Sequence, residues 1–239
     1  MLKNSFTLLE LIIVTAIMAI LISILLPSLT KTKYISRSAV CASNIKQNIF
    51  AISSYALKNN QRFPSKMGGS PEFNRYFYQK KKDRYFLLGQ LWQEEYLASY
   101  ETIFCPEVMV NYQGSIYTQS AYMINGEFNP RQACINEGIG TARSNYITYP
   151  YNKGDWSKIF LSQLENTEML HADAIFNKYS GEKFYNHMFE GKAGWNVMRV
   201  DGSLKFVQSS STQVFVAIHD LFNNWPDTET ARDDLLSQF

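Results

Sequence analysis

Four residues in the second half of the chain have types that bind ions or move protons: His171, Asp173, His187 and Asp201. Imidazole nitrogen with carboxylate oxygen suits transition ions. Asp173, His187 and Asp201 are therefore the metal candidates. Each also has a plain structural reading: Asp201 caps a tight turn, Asp173 ends a strand, and His187 is a loop residue bonded locally. No Asp-x-Asp-x-Asp-Gly run of the EF-hand type accompanies them. The three cysteines, Cys41, Cys105 and Cys134, show no CxxC spacing, which argues against a zinc ribbon or a thioredoxin-type site. An exported body would allow one disulfide with one thiol left over. Cys105–Cys134 is the expected pair, because Cys41 lies in a predicted long helix. Nucleophilic catalysis has no signature: there is no G-x-S-x-G, and Cys105 stands before a proline. Gly68-Gly69 and Gly138-x-Gly140 read as turns and not as phosphate loops. An enzyme is not expected, nor a resident cofactor.

The elements that position these residues begin with an apolar run. From Phe6 to Leu26, in "FTLLELIIVTAIMAILISILL", the only strongly polar residue is Glu10. About 21 residues at roughly 1.5 Å each span about 31 Å, close to the roughly 30 Å hydrocarbon core of a bilayer. A secretory signal peptide would have a shorter run and an A-x-A-like cleavage site. Here "PSLTKTKYISRS" follows instead. The segment is read as membrane-inserted, and Glu10, a carboxylate inside it, as functional.

"SFTLLE" followed by this run resembles the class III signal of type IV pilins and type II secretion pseudopilins. The resemblance implies cleavage by prepilin peptidase between Ser5 and Phe6, N-methylation of Phe6, and a role for Glu10 in docking subunits during assembly. Ser5 stands where that family usually has glycine. Pro27 matches the family's helix-kinking proline, which removes an N–H and bends or locally melts the helix. The implied partners are prepilin peptidase, other pilin or pseudopilin subunits and an inner-membrane assembly platform. The implied placement is single-pass in the inner membrane, N-terminus cytoplasmic and C-terminal domain periplasmic or extracellular. Counting basic residues alone (Lys3 before the run; Lys31, Lys33 and Arg37 after it) would give the reverse orientation.

Past Pro27, Ile35, Ala39, Ala42, Ile45, Ile49, Ile52 and Ala56 recur at spacings of three and four, tracing one helical face. Lys33, Arg37, Ser43, Lys46, Gln47, Ser54 and Lys58 lie opposite. "KNNQRFPS" ends the pattern. The chain then divides into a leader over 1–5, a membrane and assembly helix over 6–27, its amphipathic continuation over 28–60, and an extracytoplasmic globular domain over 61–239. "CASNIKQNIFAISSYALKNNQRFP" resembles the C-x-N-L-K-Q helix of Planctomycetes-type pseudopilins that carry a C-terminal His…Asp-Gly element. "IFCPE", "SAYMING", "LHADAI" and the span from His187 to "DGSLKF" resemble further parts of that family. The thirteen residues between His187 and Asp201 exceed its usual nine. The resemblance also leaves calcium open, since related pseudopilins hold it in a C-terminal loop through carboxylates and carbonyls.

Within the body, 84–99 reads as an amphipathic helix and "ETIFCPE" as a short strand and turn. Strands are read in 115–126, "SNYITYP", 167–175 and 194–207, the last turning at Asp201-Gly202. Lys80-Lys81-Lys82 reads as a solvated turn. A C-terminal helix over 226–239 opens near Asp227. The expected fold is α+β and pilin-like: a long N-terminal helix packed on an antiparallel sheet domain.

A net charge of +2 over 239 residues gives no ground for a nucleic-acid partner. The expected function is a structural subunit, a pseudopilin or minor pilin, assembled through its N-terminal helix. The alternative is a signal-anchored extracytoplasmic module that binds carbohydrate or peptide and does not polymerise, suited by an aromatic content of 15%.

Overall fold

The computed structural model describes residues 7–65, 76–107, 119–144, 146–148, 169–173, 175–177, 183–185, 187–189 and 192–209. Helix α1 runs unbroken from Leu8 to Lys58. It starts at a capping box. Thr7 is the N-cap; its hydroxyl oxygen accepts from the Glu10 N–H at 3.2 Å, and Glu10 Oε2 accepts from the Thr7 N–H at 2.9 Å. The helix ends where Asn60 and Gln61 turn left-handed, at φ of 54° and 62°. Pro27 lies inside α1 and does not break it. The Thr30 hydroxyl donates back to the Pro27 carbonyl at 2.8 Å and to the Leu26 carbonyl at 3.3 Å. Local melting at Pro27, one of the two expected outcomes, does not occur.

The two halves of α1 live in different surroundings. Between Leu8 and Leu29 no large apolar side chain is less than 49% exposed. Each would forgo roughly 1.5–3 kcal/mol in water relative to burial, so this half requires an apolar environment from elsewhere. It is long and apolar enough to cross a membrane. The other half presents Cys41, Asn44, Ile45, Asn48, Ile49, Ile52 and Ala56 to the domain. Ile35 and Ala39, expected on this face, are exposed. The packed stripe begins at Cys41 and includes polar residues.

Against this half lies a small β domain. Strands β1 (Tyr76–Gln79) and β2 (Arg84–Tyr85) pair antiparallel, and β1 also pairs with β5 (Thr141–Arg143). The expected helix over 84–99 is shorter than predicted: 84–85 are strand, Leu87 has φ of 44°, and α2 covers only Leu88–Gln93. Helix geometry cannot pass through that left-handed residue. "ETIFC" is likewise not a strand; Tyr100–Ile103 form a 3-10 turn capped by Ser99. Between 119 and 128 another 3-10 turn leads to a hairpin of β3 (Met123–Ile124) and β4 (Glu127–Phe128), turning on Asn125 and Gly126 with both φ positive. Helix α3 (Pro130–Asn136) follows, with Asn129 as its cap. Lys80–Lys82 form an exposed turn, as expected.

The larger sheet is built round a long strand. The remaining strands, in chain order, are β6 (Tyr146–Thr148), β7 (Met169–Asp173), β8 (Ile175–Asn177), β9 (Lys183–Tyr185), β10 (His187–Phe189), the long strand β11 (Lys192–Arg199) and β12 (Leu204–Ser209). Strand β12 pairs with β11 along its length, through the expected Asp201-Gly202 turn. Strands β10 and β7 both pair with β11 and follow one another along it, β10 opposite residues 192–194 and β7 opposite 197–199. Strand β6 extends the sheet beyond β7, and β8 and β9 form a separate hairpin. The expected helix over 226–239, with Asp227, lies outside the described residues.

The core joins α1 to both sheets. Phe77 sits at its aromatic centre, 5.2 Å from the Tyr122 ring, 5.8 Å from Phe104 and 6.1 Å from Phe128. Among the described aromatic side chains, only Phe50 and Phe206 are exposed.

Candidate functional site

The end of β7 meets the start of β10 opposite Gly194–Asn196 of β11. Asp173 and His187, two of the three metal candidates, are brought together there. His187 Nε2 lies 3.0 Å from Asp173 Oδ2, with both side chains buried. Asn196 fixes the carboxylate from β11: its backbone N–H donates to Asp173 Oδ2 at 2.6 Å and its side-chain Nδ2 at 2.9 Å. The same Nδ2 lies 3.2 Å from His187 Nε2. Among the described residues, His187 Nδ1 is buried with no hydrogen-bond partner.

Helix α1 and the chain before Pro106 close the site from the other side. Cys41 and Cys105 are joined by a disulfide, with Cα atoms 5.1 Å apart. Cys105 Sγ lies 3.7 Å from His187 Nε2. One donor atom from each of Cys41, Cys105, Asp173 and His187 falls within 4.8 Å of the others, and all four residues are buried. The expected Cys105–Cys134 pairing is therefore wrong. Cys134, on α3, is a buried free thiol, and burial pushes it up to about 11. A helical position did not keep Cys41 out of a disulfide, because its face of the helix points into the domain.

What brings Cys105 to Cys41 is a pair of buried asparagines one turn and two turns along the same face. Asn44 Nδ2 donates to the Phe104 carbonyl at 3.0 Å, and Asn48 Nδ2 to the Thr102 carbonyl at 3.1 Å. Ser144 adds a bond to the Ile103 carbonyl at 2.7 Å. The segment before Cys105 is thus hung on side chains, not on a strand ladder. Asn48 Nδ2 also lies 3.2 Å from His171 Nε2. Burial drives His171 down to about 3, against the opposing pull of Asp173. His171 is then a neutral ring accepting at Nε2, buried in the core.

Asp201, the third candidate, is elsewhere. It is exposed in the β11–β12 turn, where Oδ1 accepts from the Ser203 N–H at 2.8 Å. The Ser203 hydroxyl first, and its N–H second, hold the Asp201 carboxyl below the usual range. The span from His187 to "DGSLKF" is nonetheless united at its ends. Phe206 pairs with Asn196 in register, and its ring centroid lies 5.7 Å from that of His187. Gly194, opposite His187, makes the approach feasible: a Cβ there would run into the Phe206 ring. From α1, Tyr34 meets the His187 ring edge-on at 6.3 Å. Arg37, one turn on, pairs with the buried Glu107 at 3.6 Å.

Sequence reasoning missed Asn44, Asn48 and Asn196. For the first two a signal existed: Asn44 and Asn48 share the spacing of Cys41, Ile45 and Ile52, and polar residues inside an apolar stripe require buried partners. The T-x-x-E box at Thr7 and Glu10 was equally visible. Ser5 and Phe6 lie outside the described residues. The donor set at the sheet junction, with two sulfurs, one imidazole and one carboxylate, does not suit calcium, which takes six to eight oxygens.

The chain matches no protein-family model, no curated protein and no solved structure.

Proposed function

We propose that the chain is a structural subunit of a pilin-like filament, a pseudopilin or minor pilin, that acts by assembling through its N-terminal helix. The observation that supports this most is the division of α1. One helix of 51 residues is bare and apolar in its first half and forms part of the domain core in its second. Such a part anchors a domain to a bilayer before assembly and packs against copies of itself afterwards, burying the same residues in either setting. In this reading prepilin peptidase cuts between Ser5 and Phe6, Phe6 is N-methylated, and the new amine neutralises Glu10 of a neighbouring helix. Until then Glu10 is held by its own N-cap, its Oε2 accepting from the Thr7 N–H and from the Thr7 hydroxyl at 2.8 Å. The domain lies on the periplasmic or extracellular side. The inward packing of the described aromatic residues lends less support to a carbohydrate- or peptide-binding module.

Mass spectrometry of the protein extracted from membranes tests the processing step. A mature N-terminus at methyl-Phe6 is expected, and an intact Met1 would overturn it. Co-purification with other subunits tests assembly; it is expected to be lost in Glu10→Leu, and an unchanged multi-subunit complex in that variant counts against the reading.

A further inference from the structure

We propose that Cys41, Cys105, His187 and Asp173 form a Zn2+ site in the reduced chain, filled in place of the disulfide. The donor set is one that zinc takes: two thiolates, an imidazole and a carboxylate. Zn–S bonds of about 2.3 Å and Zn–N or Zn–O bonds of about 2.0 Å place tetrahedral neighbours roughly 3.3–3.8 Å apart. Cys105 Sγ and His187 Nε2 are already 3.7 Å apart, and His187 Nε2 and Asp173 Oδ2 are 3.0 Å apart. The bonded sulfurs are much too close, and the His187–Asp173 spacing has to widen slightly. Breaking that bond lets them part to the zinc spacing while four separate pieces of the fold hold the donors in place.

A second observation points the same way. His187 Nε2 faces the carboxylate Oδ2, an acceptor, and Asn196 Nδ2, a donor, at 3.0 and 3.2 Å. With a proton on Nε2, the Asn196 contact sets donor against donor. Without one, the Asp173 contact sets acceptor against acceptor. A cation bound to the Nε2 lone pair and to Oδ2 turns the acceptor–acceptor contact into shared coordination and leaves Asn196 donating to the carboxylate. Asn196 then acts as a positioning residue, orienting a ligand that it does not replace.

The two states exclude each other. A phosphine and one water cleave the S–S bond; phosphorus is oxidised and takes the oxygen, and the two water protons go to the thiols. Zn2+ then displaces both thiol protons to solvent without changing its own oxidation state. In the disulfide form only His187 and Asp173 remain, too few to close a site.

The test uses the full chain in detergent, reduced with a phosphine, freed of it without air, and titrated with Co2+ and then Zn2+. The expected result is one Co2+ per reduced chain, with a thiolate charge-transfer band in the near ultraviolet and the intense visible bands of tetrahedral cobalt. Zn2+ should bleach both, and the oxidised chain should show neither. Cys134→Ser should leave the spectrum unchanged. Asn196→Ala should weaken Zn2+ affinity by about 10–100-fold while keeping the thiolate band. A folded, reduced wild-type chain without that band overturns the proposal. So does a band that survives Cys41→Ser with Cys105→Ser, or a reduced chain that unfolds and that Zn2+ does not refold.

Discussion

Cys41 on the long helix is bonded to Cys105, 64 residues further along the chain, and the bond lies beside the buried pair of His187 and Asp173. It closes a loop that contains the end of α1, the first strands and the 3-10 turn. Without metal, Cys41→Ser with Cys105→Ser should cost about 4 kcal/mol, the entropy of closing a loop of this length. Denaturant midpoints of the oxidised wild type and the double variant measure it. Peptide mapping without reduction should find Cys41 joined to Cys105 and Cys134 alone alkylated after unfolding.

Asn48 bridges α1, the Thr102 carbonyl and His171. Asn48→Leu removes both bonds and leaves a buried carbonyl and a buried ring nitrogen without that donor. A loss of roughly 1–3 kcal/mol is expected, read from urea denaturation. A variant as stable as wild type would mean that Asn48 does not carry the 102–105 segment.

Gly89 lies under the backbone of β1. A Cβ at this position would run into the Phe77 carbonyl, and neither α2 nor β1 can yield without disturbing the aromatic centre of the core. Gly89→Ala should cost about 1–3 kcal/mol. Gly140→Ala, with open space at its Cβ and no positive φ, is the matched control and should lie within about 0.5 kcal/mol of wild type. Thermal midpoints of the two variants distinguish them.

The alkaline limb of stability should carry the mark of Cys134. Burial raises its thiol from 9.0 to about 11 in the folded chain. Between those values the unfolded chain loses a proton that the folded chain keeps. The contribution is thus complete below pH 9 and is lost as pH rises through about 11. Tyr78, raised by burial and by its hydrogen bond to Asp83, adds a loss of the same sign. Thermal midpoints of wild type should fall over this window, and those of Cys134→Ala should fall less.

The legible parts of this protein were those written in periodicity and turn chemistry. The apolar run, the stripe through Ile45, Ile49 and Ile52, the Asp201-Gly202 hairpin and the strands at 169–173, 192–199 and 204–209 all follow from local rules, whereas the strand read over 115–126 is a 3-10 turn at Gln119–Tyr122. The segment 84–105 was not legible, because its shape comes from partners remote in sequence. Leu87 adopts φ of 44° at the turn into α2, and Asn44 and Asn48 hold the carbonyls of Phe104 and Thr102 where a strand was expected. The candidate site was half legible. Residue type singled out Asp173 and His187 but equally Asp201, which only the hairpin geometry separates from them. Disulfide pairing is a fact of three-dimensional proximity, and setting Cys41 aside because it lies in a helix chose the wrong partner for Cys105.

The grip of α1 on the domain also has a rotational meaning. Cys41, Asn44 and Asn48 seize the domain at three heights spread over about 10 Å of helix. One attachment would leave the domain free to swivel about the helix axis; three along one stripe do not. The bearing of the β domain is therefore keyed to the apolar half of the same unbroken helix. Any neighbour that fixes the azimuth of residues 8–29 also decides which side of the domain faces outward.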